Sequence, residues 1–215
     1  MALAAHPHAD VTAWVLAGGE GRRMGGVDKG LQPWRGQALA QWVMAALAPQ
    51  VQVMGVSANR NEGAYQALLA SLGPPIRLGT FPDASELPPS SGPLAGILTG
   101  LRLCPTDWLQ LAACDTPRLP ADLVARLHQA ARDADADIAV PVTEEACADG
   151  QLEQRPHWTC ALLHKRVTPD LASAFVKSDR KVGQWIQSRR WVAVSFAPAS
   201  NFENMNTLEM LDDRD

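Results

Sequence analysis

The chain has 215 residues, of which 47% are hydrophobic and 20% charged, the composition of a soluble globular protein large enough for one sizeable core. Its formal net charge of -4 lacks the basic excess that is typical of nucleic-acid-binding proteins. No apolar run is long enough to cross a bilayer, so the composition predicts neither a nucleic-acid partner nor a membrane partner.

The N-terminal residues and the cysteines point to an ordinary intracellular protein. Residues 1–10 have neither the cationic start nor the apolar run of a signal peptide, and we expect a disordered tail in which His6 and His8 are solvated rather than metal-bound. The four cysteines form no C-x-x-C pair and no metal-binding spacing, so free thiols in a reducing cytoplasm are expected. Residues 11–215 are predicted to form one domain.

A glycine-rich segment follows the first predicted strand, Val11–Ala17, and carries the cations Arg22, Arg23 and Lys29. Because glycine has no Cβ, main-chain N–H groups in such a segment can approach phosphate oxygens closely. The cations then neutralise charge that backbone dipoles leave uncompensated. The segment therefore predicts a binding site for a small polyanion.

Neither of two common phosphate-binding motifs fits this segment. Gly19-Glu20-Gly21 begins a G-x-G-x-x-G dinucleotide motif, but Met24 stands where the third glycine belongs. The P-loop pattern G-x-x-x-x-G-K-[ST] fails because Gly30 follows Lys29. A flexible surface loop is the alternative, although such loops rarely carry three cations directly after a buried-type strand.

The later elements alternate between strands and helices, as in βαβ units with a parallel sheet. They are predicted as a helix with its apolar stripe at Leu39, Trp42, Val43, Ala46 and Leu47, strand Val51–Ser57, helix Glu62–Ser71, strand Ile76–Thr80, a Pro- and Ser-rich loop Phe81–Gly92, a helix opening at Pro93, strand Trp108–Ala113, a helix with Leu123 and Leu127 facing inward, strand Asp137–Val142, a β-ribbon over Gln154–Leu163, short helices at Leu171 and Val182, and strand Trp191–Phe196. The order predicts a single three-layer α/β/α domain with a mostly parallel, Rossmann-like sheet.

A carboxylate, Asp115, directly follows the strand Trp108–Ala113. Open α/β sheets bind ligands at the carboxyl ends of their strands, where the glycine-rich segment also begins. Carboxylate oxygens suit Mg²⁺ beside a phosphate, although Asp-Thr-Pro is also ordinary turn chemistry. Arg189 and Arg190 form a second local concentration of cations, which favours a small anionic ligand over a long polyanion.

Five motifs lie between residues 11 and 210: Leu16-Ala17-Gly18-Gly19 with Arg23-Met24-Gly25 and Asp28-Lys29; Ser57-Ala58-Asn59-Arg60; Gly92-Pro93-Leu94-Ala95-Gly96; Cys114-Asp115-Thr116-Pro117; and Asn204-x-Asn206-Thr207. The first resembles the opening motif of nucleotidyltransferases. The whole set resembles the molybdenum cofactor guanylyltransferase family, whose fold is of the nucleotide-diphospho-sugar transferase type. Gly19 stands where the related cytidylyltransferases typically have Ala, and so resembles the GTP-using branch.

This resemblance implies that the chain binds GTP and Mg²⁺ and transfers GMP to the terminal phosphate of molybdopterin, releasing pyrophosphate. It implies catalytic roles for Lys29, Arg23 and Asp115, with Asp115 also holding the metal. It implies nucleotide or cofactor contacts at Leu16, Ala17, Gly18, Gly19, Lys29, Ser57, Asp83 and Asp115, and pterin-side contacts at Asn204 and Asn206. Transient contacts with molybdopterin-delivery proteins and target molybdoenzymes are a further expectation.

Two features depart from the family's pattern. Ser57 stands where the family commonly has Asn, which weakens the expectation of a side-chain contact to guanine there. The loop over Phe81–Ser91 is long and Pro-rich, so Glu86 rivals Asp83 as the nucleotide contact.

Other functions stay open at this stage. The chain could be a nucleotidyltransferase that uses CTP or a sugar-phosphate acceptor, or a non-catalytic nucleotide-binding partner of molybdoenzymes. A nicotinamide-dependent dehydrogenase is disfavoured by Met24. Trp158, Trp185 and Trp191 could stack on a pterin, although buried core positions are commoner for tryptophan.

Overall fold

A computed structural model describes residues 8–19, 27–73, 76–83, 92–146, 151–176 and 181–205 of the chain. The central sheet of this described part has eight strands, and a short hairpin lies beside it. The sheet strands are β1 (Val11–Leu16), β4 (Val53–Ser57), β5 (Ile76–Phe81), β6 (Trp108–Ala113), β7 (Ile138–Ala146), β8 (Leu152–Pro156), β9 (Leu162–His164) and β10 (Trp191–Ser195), and the hairpin is β2 (Pro33–Trp34) with β3 (Gln37–Ala38).

The strands follow the order β10-β7-β9-β6-β1-β4-β5, with β8 pairing to β7. Strand β1 runs parallel to both β4 and β6, β4 runs parallel to β5, and β10 runs parallel to β7. Only β8 and β9 run antiparallel to their neighbours in the described sheet. The mostly parallel, Rossmann-like sheet predicted from the sequence is confirmed.

Six α-helices cover the two faces of this sheet in the described residues. They are α1 (Leu39–Leu47), α2 (Glu62–Ser71), α3 (Pro93–Leu103), α4 (Leu123–Asp133), α5 (Thr168–Val176) and α6 (Val182–Gln187). Alternate residues of a strand point to opposite faces, so Val11, Ala13 and Val15 pack with α1, α2 and α4. Trp14 packs on the other face with α3, α5 and α6. The three-layer α/β/α arrangement follows from this alternation.

Trp14 fixes α3 against the sheet. Its side chain is fully buried, and its indole Nε1 donates a hydrogen bond to the carbonyl oxygen of Gly96 at 2.9 Å. A Cβ at Gly100 would come within 2.8 Å of the indole ring, so the helix approaches closely only because this residue is glycine. The N-terminal turn of α3 is thereby held near the carboxyl edge of the sheet.

Most predicted elements lie within a few residues of the observed ones, and Pro93 is the first helical residue of α3, as predicted. The predicted ribbon over Gln154–Leu163 is wrong in its pairing. Strand β8 pairs with β7, whereas β9 is inserted between β6 and β7. Leu162 and Leu163 are fully buried, which explains why this segment enters the middle of the sheet instead of an exposed ribbon.

The structure also describes residues 8–10 and three of the four cysteines. Residues 8–10 form a turn before β1, while residues 1–7, including His6, lie outside the described part. Cys104, Cys114 and Cys160 carry free thiols, as predicted, and Cys147 lies outside the described residues. No helix in the described ranges is long and apolar enough to span a membrane.

Arg189 and Arg190, the second concentration of cations, lie at the amino end of β10. Arg190 donates to Asp135 at 2.9 Å and to Asp137 at 3.0 Å, and Arg189 donates to Asp170 at 2.7 Å. These arginines are therefore engaged by carboxylates at the start of β10, and the expectation that they signal an anionic ligand is not supported by their surroundings.

Candidate nucleotide-binding site

The carboxyl ends of four parallel strands meet at one edge of the sheet. Main-chain hydrogen bonds continue past the strands, from Ala17 N to Ser57 O at 2.7 Å and from Cys114 N to Leu16 O at 3.1 Å. The amide of Ala58 likewise donates to Phe81 O at 2.9 Å. The segments that follow β1, β4, β5 and β6 are thus locked side by side, which brings the predicted site residues to a common edge.

Lys29 and Asp115 face each other across this edge. Lys29 begins a short 3-10 turn, and its Nζ donates to Asp115 Oδ2 at 2.6 Å. The two side chains are only 22% and 13% exposed, so the pair is partly shielded from solvent. Two residues that the sequence analysis placed in the same reaction are therefore in direct contact, although 86 positions separate them.

Asp28 anchors the backbone immediately before Lys29. Its carboxylate is largely buried and accepts hydrogen bonds from the Tyr65 hydroxyl at 2.5 Å and from Asn61 Nδ2 at 2.9 Å. Burial raises the pKa of Tyr65, so the phenol stays protonated and donates. Tyr65, the chain's sole tyrosine, was not predicted as a site residue, because its place on a helix face gives no sequence signal of a buried partner.

Arg60 bridges the two ends of the glycine-rich segment. Its guanidinium donates to Gly19 O at 3.2 Å and to Val27 O at 3.0 Å, and its Nε lies 3.6 Å from Asp28 Oδ2. Residues 20–26, which include the predicted Arg22 and Arg23, lie outside the described residues. Arg60 belongs to the motif Ser57-Ala58-Asn59-Arg60, but no role was predicted for it. Its position after β4 is the one sequence signal that it could reach the loop after β1.

A second cluster joins the segments after β4 and β5. Asp83 accepts from Ser57 Oγ at 3.2 Å and from Asn59 Nδ2 at 2.8 Å, and its own amide donates to Asn59 Oδ1 at 2.8 Å. Ser57 and Asp83, both predicted as nucleotide contacts, are thus adjacent. Asn59 was missed as their common partner, and the rival Glu86 lies outside the described residues.

The small residues after β1 leave space beside this cluster. A Cβ at Gly18 would stand 3.1 Å from Asn59 Nδ2, and one at Gly19 would meet nothing within 4 Å. Backbone that is open on its cleft side can be approached by a ligand without side-chain interference. Leu16 is partly buried and Ala17 is buried, so the predicted contacts from this segment fall mainly on its backbone.

The chain returns to the same edge near its C-terminal end. Thr116 Oγ1 donates to Asn204 Oδ1 at 3.0 Å, and the amide of Met205 donates to Asp115 O at 2.9 Å. Asn204, expected on the pterin side, is therefore next to the Asp115 turn, while Asn206 lies outside the described residues. Thr116, which makes the connection, was not predicted.

Two adjoining cavities of about 370 and 410 Å³ open beside Asn204. Both are lined by Arg155, His157 and Phe202, and Trp158 lines the second. The His157 imidazole stacks on Phe202 with ring centres 4.6 Å apart and shares a 2.8 Å hydrogen bond with Thr143. Of the three tryptophans considered for pterin stacking, Trp185 is buried in the core, whereas Trp158 borders this space.

The stability of the protein is expected to fall in mild acid because of His157. Burial lowers its pKa to about 4 from 6.5, with Arg155 adding to the effect and Glu145 opposing it. The unfolded state binds more protons between these values, so stability present above pH 6.5 is lost as the pH falls toward 4. We expect a loss of about 1–2 kcal/mol, allowing for partial exposure of the ring.

Urea unfolding of the parent protein and of His157→Gln at pH 7 and pH 4.5 measures this contribution. Glutamine can keep the contact with Thr143 but does not titrate in this range. The variant should lose less stability on acidification than the parent protein; equal losses would assign the acid sensitivity to other groups.

Asp115 is the side chain of this edge best suited to a divalent cation. One of its oxygens accepts from Lys29, and within the described ranges no hydrogen bond is formed by the other, Oδ1. The next residue, Thr116, donates its hydroxyl to the amide oxygen of Asn204. One carboxylate matches the few protein ligands that Mg²⁺ takes when phosphates and waters complete its shell.

Comparison with known proteins shows the family to which the chain is related. The family model of the MobA-like NTP transferase domain matches residues 13–194. Two similar curated proteins are the molybdenum cofactor guanylyltransferases of Ralstonia pickettii and Cupriavidus necator. The first is 42% identical over 205 residues, covering 95% of this chain and 96% of the relative. The second is 43% identical over 202 residues, covering 94% of each chain.

Solved structures share the fold at lower identity. Molybdopterin-guanine dinucleotide biosynthesis protein A from Archaeoglobus fulgidus superposes with a TM-score of 0.68 and 22% identity, covering 93% of this chain and 94% of that one. The 4-diphosphocytidyl-2C-methyl-D-erythritol synthase of Anaerococcus prevotii gives a TM-score of 0.70 and 13% identity, covering 94% and 95%. At such identities these structures support the architecture and not the choice of substrate.

Proposed function

The chain belongs to the molybdenum cofactor guanylyltransferase family of MobA-like NTP transferases, and on that basis we propose that it transfers GMP from GTP to molybdopterin. It is an enzyme of the nucleotidyltransferase class. The product would be molybdopterin guanine dinucleotide, with pyrophosphate released. The observation that carries the proposal is the Lys29–Asp115 pair at the mouth of the glycine-rich segment.

The reaction joins two anions, so charge neutralisation is its main demand. A terminal phosphate oxygen of molybdopterin attacks the α-phosphorus of GTP, and the bond from that phosphorus to the bridging oxygen of the β-phosphate breaks. An ionised phosphate needs no general base, and positioning with electrostatic stabilisation supplies most of the rate. Lys29 at this edge provides a preorganised positive charge, and Arg23 is proposed as a second one.

GTP binding would separate Lys29 from Asp115 and give each of them a new partner. The triphosphate competes for the Lys29 ammonium, and the Asp115 carboxylate is then available to hold Mg²⁺. A bound Mg²⁺ would offset charge on the phosphates at this edge. The buried Asp28–Tyr65 contact keeps the backbone before Lys29 fixed during this exchange, so the lysine is positioned without rebuilding the turn.

Recognition of the guanosine is assigned to the segments after β1, β4 and β5. Asp83, held by Ser57 and Asn59, can accept from the N–H groups of a base edge or from ribose hydroxyls. The guanine edge has two adjacent donors, which match a carboxylate better than the edges of adenine or cytosine do. Leu16, Ala17, Gly18 and Gly19 would contact the nucleotide mainly through their backbone.

The acceptor is assigned to the cavities beside Asn204, with Asn206 as a further contact. The first cavity is also lined by Glu145 and Glu203, and Arg155 pairs with Glu145. In the second cavity, Arg155 and Lys181 bring positive charge, and His157 with Trp158 brings flat rings. This combination suits an anionic, planar molecule such as molybdopterin. We further propose a cytoplasmic protein of one domain over residues 11–215 with a tail before it, which meets molybdopterin-delivery proteins and target molybdoenzymes transiently.

Calorimetric titration with GTP, CTP and ATP in the presence of Mg²⁺ tests the nucleotide assignment. One GTP should bind per chain at least tenfold more tightly than CTP or ATP, the discrimination that a few polar contacts to a base provide. Adding molybdopterin should then release pyrophosphate. Preference for CTP would place the chain in another branch, and tight GTP binding without pyrophosphate release would favour the non-catalytic alternative.

A further inference from the structure

Three potential metal ligands meet at the edge of the sheet opposite the nucleotide site. They are His8 and Asp10 in the turn before β1, and His128 in α4. Their ligand atoms all lie within 4.8 Å of one another, and His128 Nε2 lies 2.9 Å from Asp10 Oδ2. The carbonyl of Asp10 accepts from the amide of Trp108 at the start of β6, which places the group at the amino ends of the strands.

From this group we propose a binding site for a late first-row divalent cation such as Zn²⁺. Two imidazoles and one carboxylate are ligands that such ions prefer over Mg²⁺ or Ca²⁺, and three protein ligands leave a fourth position for water. Tetrahedral zinc with bonds of about 2.0–2.1 Å separates its ligands by roughly 3.3 Å. The Asp10–His128 separation of 2.9 Å is already close to that value, and His8 needs to approach by at most about 1.5 Å.

A second observation concerns the ring of His8. Its Nε2 is buried and has no hydrogen-bond partner among the described residues. Burying an imidazole nitrogen away from water without a hydrogen-bond partner costs free energy. A cation bound among these side chains would give this nitrogen an interaction partner. The rings of His8 and His128 already pack edge to face with centres 5.3 Å apart.

The surroundings of His128 are suited to hold a ligand in place. Its side chain is largely buried, and Trp108 packs against its ring at a centre-to-centre distance of 5.5 Å. Rigid support of a ligating ring raises the precision of a metal site. A bound ion would fasten the turn at residues 8–10 to α4, so its expected role is structural. This inference does not depend on the proposed transferase activity, which uses the other edge of the sheet.

The full-length protein, stripped of metal with a chelator, can be titrated with Zn²⁺ by calorimetry and with Co²⁺ by absorption spectroscopy. We expect one equivalent to bind, with visible Co²⁺ bands typical of nitrogen and oxygen ligands, and to raise the melting temperature by a few degrees. His8→Ala and Asp10→Asn should each weaken binding at least tenfold. Both residues lie in the turn outside the core, so these variants test the site even if a His128→Gln protein folds poorly.

His164→Asn is the matched control, because His164 also packs on Trp108, with ring centres 4.7 Å apart, but is outside the group. The control should bind the ion as the parent protein does. The proposal is overturned if no stoichiometric binding occurs, if His8→Ala binds as tightly as the parent protein, or if the Co²⁺ spectrum shows thiolate charge transfer from the cysteines.

Discussion

Replacing Lys29 with alanine is expected to slow GMP transfer by about two to four orders of magnitude, the range for loss of a preorganised electrostatic partner. The ammonium lies 2.6 Å from Asp115 in a partly shielded position, where a charge acts more strongly than in bulk water. Because the turn that carries Lys29 is anchored through Asp28, the substitution should leave the fold intact. Steady-state release of pyrophosphate from GTP and molybdopterin measures the effect.

Arg132→Ala serves as the control for this substitution. It removes one positive charge from an exposed position on α4, so the net charge of the two variants is the same. The control should retain the turnover number of the parent protein. In Lys29→Ala the turnover number should fall by a larger factor than the affinity for GTP. Near-normal turnover in a folded Lys29→Ala protein would remove this lysine from the mechanism.

The main features of the site could be predicted because they follow strand ends. The glycine-rich segment and Asp115 each come directly after a buried apolar run, and parallel strands bring such ends to one edge. Lys29, at the end of that segment, could therefore be expected on the same edge as Asp115 without any knowledge of side-chain positions. Ser57 and Asp83 were expected near the nucleotide only from the family resemblance; their adjacency follows from the pairing of β4 with β5.

The supporting residues could not be predicted because their roles depend on tertiary contacts. Tyr65 lies on an amphipathic helix, where an aromatic residue usually belongs to the core, and only the fold turns its hydroxyl toward Asp28. Asn59 and Thr116 are short polar residues in loops, and their partners are distant in sequence. Hydrogen bonds of this kind leave no periodic signal in the chain.

The error at β9 and the treatment of the N-terminal turn have similar causes. A three-residue strand between two longer ones is too short for its apolar pattern to reveal where it inserts. His8 was predicted to lie in a solvated tail. A histidine near a terminus gives no sequence signal that it lies close to a helix more than a hundred positions away. Both features are set by long-range packing and not by local sequence.

Asp115→Asn is expected to reduce Mg²⁺-dependent turnover by about two to three orders of magnitude while the protein stays folded, since metal-assisted charge stabilisation at a transferring phosphoryl group amounts to several kcal/mol. Asparagine has nearly the same shape, and the main-chain bond from Met205 to the carbonyl of residue 115 does not depend on the side chain. A neutral amide can still accept from Lys29 but is a poor ligand for a hard cation. The Mg²⁺ concentration needed for half-maximal activity should therefore rise at least tenfold.

Titrating Mg²⁺ at saturating GTP, with unfolding curves recorded alongside, separates loss of the metal from loss of the fold. Asp122→Asn is the matched control, because it neutralises an exposed carboxylate before α4 and should leave the Mg²⁺ dependence unchanged. An unchanged Mg²⁺ midpoint in a slow Asp115→Asn enzyme would mean that the carboxylate acts by positioning Lys29 and not by holding the cation. Full activity at the parent Mg²⁺ midpoint would remove Asp115 from the chemistry, and the cation would then have to be held by other oxygen atoms at this edge of the sheet.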